Sequence, residues 1–189
     1  HSATLLLFLL GIVYVLVRNG LKAVRHLNAL DTLTQLSQRS AGHWEIARDI
    51  IVLESKTPAA FTAGLLNPQC YITTGLVEQV SATELDIIID HERAHIKHKD
   101  IQKKWLFLLF ASLYPKPVAR RLNRLFSLAT EQLADAQVSM SFCTLDIAQT
   151  LVKAARIQRL FGGNLHSAMV SYFIADDIDL RVRALVVAQ

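Results

Sequence analysis

Residues 81–98 read SATELDIIIDHERAHIKH, and this stretch holds the strongest local structural signal in the chain. Ser81 and Glu84 have the spacing of a capping box, in which the serine side chain caps the first turn and the glutamate reaches back. Apolar residues then recur at helical spacing, at Leu85, Ile88 and Ile89. We therefore predict one helix from 82 to 98.

Two histidines, His91 and His95, lie four residues apart inside that helix, so they share one face, one turn apart. Imidazoles placed in this way can converge on a single cation, and imidazole suits Zn²⁺. Glu92 lies beside the pair, where it can take a proton from the attacking water and pass it to the leaving nitrogen. The pattern predicts zinc-dependent hydrolysis with His91 and His95 as ligands and Glu92 as the catalytic residue. The alternative is a surface pair without a metal.

A catalytic zinc takes three protein ligands and keeps one position open, so a third ligand must come from elsewhere. His98 follows on the same helix and has poor reach. Residues 129–136 read ATEQLADA, with Glu131 and Asp135 again one helical turn apart. We predict that Glu131 binds zinc and that Asp135 hydrogen-bonds a ligand histidine and fixes its tautomer. The alternative is a solvated helix face.

Short strands are predicted at residues 49–54 (DIIVLE) and 69–74 (QCYITT). Prolines and a glycine between them indicate a loop over 58–68. We predict that the two strands form an edge beside the catalytic helix, and that 69–74 pairs with an extended substrate peptide. The fold class is α+β, mainly helical, with a small β-sheet.

The N-terminal run at residues 3–17, ATLLLFLLGIVYVLV, contains no charge and is followed by Arg18, Lys22 and Arg25. We predict a transmembrane segment at 1–18, with its basic flank and the catalytic domain in the cytoplasm. A signal-peptide core is the competing interpretation. Residues 19–189 then form the zinc peptidase domain, and a leucine stripe predicts a juxtamembrane helix at 22–40.

A second apolar run, WLFLLFASLY at 105–114, is too short to span a bilayer. We interpret it first as a buried core helix and second as a helix lying in a membrane surface. Pro115 and Pro117 are expected to end it.

The composition excludes some classes of function. Net charge is +4, and no basic block alternates with aromatics, so we predict no nucleic-acid partner. Cys70 and Cys143 form no metal or redox motif and are expected to be buried, reduced thiols, with a single disulfide as the alternative.

Three residues are candidate oxyanion donors: His166, Tyr172 and Arg181. Arg181 is also a candidate to lock the C-terminal helix against the zinc helix through a carboxylate. Asp100 is assigned a local structural role, such as capping or pairing with Arg93, Lys97 or Lys103.

The quoted segments resemble one family of proteins. HERAHIKHKD at 91–100, FTAGLLNP at 61–68, the Glu-x-x-x-Asp pair and RVRAL at 181–185 are similar to motifs of the membrane metallopeptidases of the BlaR/MecR kind. The resemblance covers about residues 45–187. No Ser-x-x-Lys motif of a penicillin-binding domain occurs in the sequence. Two explanations stay open: the sensor domain lies outside this sequence, or the protein serves a signal other than a β-lactam.

The resemblance implies a gluzincin-like zinc endopeptidase in a bacterial inner membrane, which cleaves a transcriptional repressor or itself after a signal. Its expected partners are a protein substrate and the lipid bilayer. The related HtpX-type peptidases of membrane quality control share Glu-x-x-Ala-Asp and are an alternative. A non-catalytic zinc-containing subunit of a membrane complex is another.

Overall fold

The structure is a computed structural model that describes residues 3–15, 17–18, 20–21, 49–161, 171–172 and 177–187. Helix α1 covers residues 3–15. The described strands are β1 (Ile50–Leu53), β2 (Ala60–Ala63), β3 (Gln69–Thr73) and β4 (Ser171–Tyr172). The remaining helices are α2 (Thr74–Val77), α3 (Ala82–His98), α4 (Asp100–Ala111), α5 (Lys116–Val138), α6 (Thr144–Phe161) and α7 (Ile178–Val187). The α+β, mainly helical prediction is confirmed.

The four described strands form one sheet in the order β1-β3-β2-β4, with β1 and β3 parallel and the other pairs antiparallel. Side chains alternate between its two faces. Cys70 and Ile72 of β3 join the core that the helices bury. Phe61 of β2 and Tyr71 of β3 stack on the opposite face, with ring centroids 5.3 Å apart. Thr62, which follows Phe61, therefore points toward the helices.

Two strand predictions are confirmed, because β1 and β3 lie within 49–54 and 69–74. The loop prediction for 58–68 is wrong at Ala60–Ala63, which forms β2. The edge prediction for 69–74 is also wrong, since β3 pairs on both sides, with β1 and β2. Among the described strands, β1 and β4 are the edges.

Helix α3 begins as predicted. The hydroxyl of Ser81 accepts from the backbone N–H of Glu84 at 3.3 Å, and the Glu84 carboxylate accepts from the Ser81 N–H at 2.7 Å. Lys99 ends the helix in the left-handed conformation, with φ 56°. This residue turns the chain so sharply that α4 starts at the next residue, Asp100.

Helices α4 and α5 form an antiparallel hairpin in which the rings of Phe107 and Phe126 stack at 4.4 Å. Pro115 caps α5 and Pro117 lies in its first turn, so the predicted helix break is confirmed. The buried-core interpretation of 105–114 is wrong. Only Ala111 of that run is buried, because α5 covers one side of α4 and no described element covers the other.

The hydrophobic core lies between the sheet and helices α3, α5, α6 and α7, with Ile87, Ile88 and Leu151 fully buried. Both cysteines are free thiols, as predicted. Cys70 is buried in this core, but Cys143 is exposed, because it lies in the turn before α6.

Helix α1 is apolar and exposed along its length. Within the part of the chain that the structure describes, no helix has both the length and the apolarity required to cross a bilayer. The predicted juxtamembrane helix at 22–40 lies outside the described residues, as does His166.

Candidate metal centre

Three buried side chains from two helices converge on one point. His91 and His95 come from α3 and Glu131 from α5. The two Nε2 atoms lie 3.1 Å apart, and Glu131 places Oε2 3.2 Å from Nε2 of His91 and Oε1 3.6 Å from Nε2 of His95. The three residues predicted as ligands are therefore brought together, and His98 is not part of the group.

The spacing of these atoms fits a small tetrahedral cation. Zn–N bonds of about 2.0–2.1 Å at tetrahedral angles separate two ligand nitrogens by about 3.3 Å. The 3.1 Å between the Nε2 atoms of His91 and His95 is close to that separation. Two imidazoles and one carboxylate are also a known donor set for catalytic zinc. The residues present thus fit a metal ion.

Each histidine is oriented by a carboxylate on its far side. Nδ1 of His95 lies 2.8 Å from Oδ2 of Asp100, and Nδ1 of His91 lies 3.0 Å from Oδ1 of Asp135. A proton held on Nδ1 by a carboxylate leaves the Nε2 lone pair free for a metal. Asp135 occupies the predicted position beside a ligand histidine.

Sequence reasoning missed the position of Asp100, which is 3% exposed and also lies 3.7 Å from Lys103. The pairing with Lys103 matches the local role expected, but the contact with His95 does not. The left-handed turn after α3 creates that contact, since a residue five positions beyond His95 would otherwise point away along the helix.

Glu92 is completely buried beside the ligands. Thr62 of β2 donates from its hydroxyl to Oε2 of Glu92 at 2.7 Å, and the same hydroxyl lies 3.1 Å from the Glu92 backbone oxygen. Among the described residues, Oε1 of Glu92 has no hydrogen-bond partner. Burial raises the pKa of Glu92, against the opposing charges of His95 and His91.

Arg181 of α7 contacts two of the buried carboxylates, Asp135 and Glu131. It donates from Nε to Oδ2 of Asp135 at 2.7 Å and from Nη2 to Oδ1 at 2.6 Å, and its Nη1 lies 3.1 Å from Oε2 of Glu131. Although burial favours neutral arginine, these carboxylates raise the pKa of Arg181. Arg181 does lock the C-terminal helix through carboxylates, but these lie on α5, so the predicted lock against the zinc helix α3 is wrong in its partner. Of the other oxyanion candidates, Tyr172 is described only by its backbone in β4.

The buried charges of the described residues are unbalanced. Four buried carboxylates, Glu92, Asp100, Glu131 and Asp135, face a single buried guanidinium. Despite burial, the Glu131 and Asp100 carboxylates raise the pKa of His95 to about 10, so this position stabilises a positive charge, either a proton on the ring or a metal ion that replaces it. Such a concentration of negative charge favours a bound cation, because an unpaired buried charge is costly.

Comparison with known proteins agrees with this geometry. The chain matches the family described as BlaR1 peptidase M56 over residues 2–185. It is also 35% identical over 91 residues to a "Protease HtpX homolog" of Thermodesulfovibrio yellowstonii. That match covers 46% of this chain and 32% of the relative, so the chain spans about a third of the relative's length.

These matches confirm the resemblance to the BlaR/MecR-type and HtpX-type peptidases, and a metal cofactor fits both the family and the cluster of His91, His95 and Glu131. The match over residues 2–185 includes every residue of that cluster. The chain belongs to the BlaR1 peptidase M56 family of metallopeptidases.

Proposed function

We propose that this chain is a membrane-attached, zinc-dependent endopeptidase that hydrolyses peptide bonds of a protein substrate. The observation that carries the proposal is the buried convergence of His91, His95 and Glu131 beside a carboxylate, Glu92, with one oxygen to which no described residue hydrogen-bonds. A zinc ion, when bound, would polarise the scissile carbonyl and lower the pKa of water to about 7.

Separate side chains bind the metal, orient the ligand histidines and transfer the proton. His91, His95 and Glu131 hold the ion, and Asp135 and Asp100 hold the two imidazole rings in the tautomer that leaves Nε2 unprotonated. Glu92 accepts the proton of the attacking water on Oε1 and delivers it to the leaving nitrogen. Its second oxygen stays anchored to Thr62, so the carboxylate does not rotate between the two transfers.

Zinc content and peptidase activity test this proposal directly. We expect about one zinc per purified chain and cleavage of an unstructured protein substrate. Glu131→Gln should lose most of the zinc and the cleavage, because it removes an anionic ligand. Glu78→Gln, which changes an exposed glutamate at the end of α2, should keep both. A fully active, zinc-free wild type would refute the proposal.

Thr62 is expected to position Glu92 for proton transfer. Thr62→Val keeps the side-chain shape but removes the hydroxyl that binds Oε2, so kcat should fall about 10- to 100-fold with KM nearly unchanged. Thr62→Ser, which restores the hydroxyl, should recover most of kcat. Equal losses in both variants would mean that packing of β2, and not the hydrogen bond, is responsible. Steady-state kinetics and zinc content are the readouts.

Regulatory proteolysis, with cleavage of a repressor or self-cleavage on the cytoplasmic face, is the biological role that we propose, on the basis of the family match. The transmembrane segment at 1–18 belongs to this proposal, and the apolar residues of α1 support it. A quality-control peptidase with broader substrates is the second candidate, favoured by the identity with the HtpX homologue. A non-catalytic zinc subunit fits less well, because its site would not need a buried Glu92.

A further inference from the structure

The hairpin of α4 and α5 has an apolar surface that no described element covers. Four large residues near its tip are about half exposed or more: Leu106 49%, Phe110 58%, Leu113 59% and Tyr114 56%. Leu106, Phe110 and Leu113 follow one another at spacings of four and three, so they form a single stripe along α4 and into the turn. We call this stripe, together with Tyr114, the hairpin face.

Two segments next to the hairpin face also expose apolar residues. The first turns of α5 expose Val118 and Leu125, two helical turns apart on one side. The β2–β3 turn is tied to α4 by the Gln102 side-chain amide, which donates to the Leu65 carbonyl at 2.8 Å. Gln102 lies one turn before Leu106, and Leu66, next to Leu65, is 90% exposed. An apolar surface of this extent is unusual where a protein faces only water.

The charge around the hairpin face has one sign. Residues 101–130 contain six basic residues and no aspartate or glutamate, in a chain that has 16 acidic residues in all. The basic residues are Lys103, Lys104, Lys116, Arg120, Arg121 and Arg124. Arg124 pairs with Asp177, and the exposed Lys116, Arg120 and Arg121 surround the start of α5. An apolar stripe bordered by positive charge is complementary to an anionic lipid surface, where acyl chains lie beneath negative headgroups.

We propose that the hairpin face docks on the anionic surface of a membrane, with Phe110, Leu113 and Tyr114 inserted at the level of the headgroups. The single sign of charge favours lipid over a second copy of this chain, because two copies of this surface would repel each other. The docking contact is made by the hairpin face and is separate from any membrane contact of α1. It does not depend on the peptidase chemistry.

Docking has a consequence for the metal centre. Glu131 lies 15 residues beyond Lys116 on one continuous helix, or about 22 Å at 1.5 Å per residue. A hairpin that rests on the bilayer would thus keep the centre no farther than about that distance from the lipid. Substrates would have to present a peptide bond within that distance of the membrane.

Tryptophan fluorescence in lipid nanodiscs tests the docking in the whole chain. Trp44 and Trp105 are changed to Phe, and a single tryptophan is introduced by Phe110→Trp or, as a matched control, by Met140→Trp. Met140 is 80% exposed and follows the far end of α5. Discs contain phosphatidylglycerol or phosphatidylcholine, each with brominated acyl chains, and the chain-to-disc ratio is checked for every sample.

We expect brominated phosphatidylglycerol to quench residue 110 about twofold or more and to leave residue 140 nearly unchanged. Quenching at 110 should weaken in phosphatidylcholine, in high salt and in the Lys116→Gln/Arg120→Gln/Arg121→Gln variant. The proposal is overturned by no quenching at 110, by equal quenching at both positions, or by quenching that ignores lipid charge. A blue shift at 110 that depends on protein concentration without lipid would assign the face to a second copy, and would also overturn it.

Discussion

Glu92→Gln is expected to keep its metal and lose peptide hydrolysis, with kcat lower by about 10²- to 10⁴-fold. The amide has the size of the carboxylate and can still accept from Thr62, but it cannot take a proton from water. Because burial already disfavours the charged form of Glu92, a neutral side chain at this position should not weaken folding. The loss would therefore report on chemistry and not on structure.

A matched control is available on the same helix. Asp86→Asn removes an exposed carboxylate from α3, about 1.7 turns before Glu92, and should change neither zinc content nor kcat. Zinc is measured by metal analysis, and cleavage by the release of new N-termini. If Glu92→Gln cleaves as fast as the Asp86→Asn control, then Glu92 is not the proton carrier and the proposed mechanism fails.

The helical part of the candidate site was predictable from the sequence because its signals are local. A capping box, an apolar stripe and two histidines one turn apart all lie within residues 81–98, and each follows from helix geometry. Glu131 and Asp135 were predictable for the same reason, although only the fold shows that they meet α3.

The sheet was harder to predict from the sequence, because strand positions depend on pairing with segments that are distant in the chain. β2, with the sequence AFTA, has only two adjacent residues of high strand propensity, Phe61 and Thr62, and it forms where β3 and β4 pair with it on either side. The internal position of β3 also follows from that pairing. Thr62 was missed with β2, since its contact with Glu92 joins residues 30 positions apart.

The exposure of α4 shows a second limit of prediction from sequence, which concerns the environment of an apolar helix. An apolar run such as 105–114 indicates that one face of the helix is removed from water, but it does not indicate whether protein or lipid contacts that face. Both a protein core and a membrane surface were compatible with the sequence. The exposed stripe of Leu106, Phe110 and Leu113 excludes the first within the described structure, and the surrounding basic residues supply the argument for the second.

Arg181→Met is expected to cost about 3–5 kcal/mol of folding free energy, which is a large effect for a single substitution. Arg181 is the one buried guanidinium in the described structure, and its removal takes from the buried Asp135 and Glu131 the permanent positive charge that contacts both. Its hydrogen bonds also join α7 to α5, so α7 should loosen first. Chemical denaturation followed by circular dichroism measures the change.

Two further variants separate charge from geometry. Arg183→Met changes an exposed arginine two residues along α7 and should alter stability by less than about 0.5 kcal/mol. Arg181→Lys keeps the positive charge but cannot reproduce the paired donors that meet Asp135, so it should recover only part of the loss. If Arg181→Met is as stable as Arg183→Met, the buried carboxylates must be relieved by another group, and the proposed role of Arg181 in holding α5 and α7 around the metal centre is wrong.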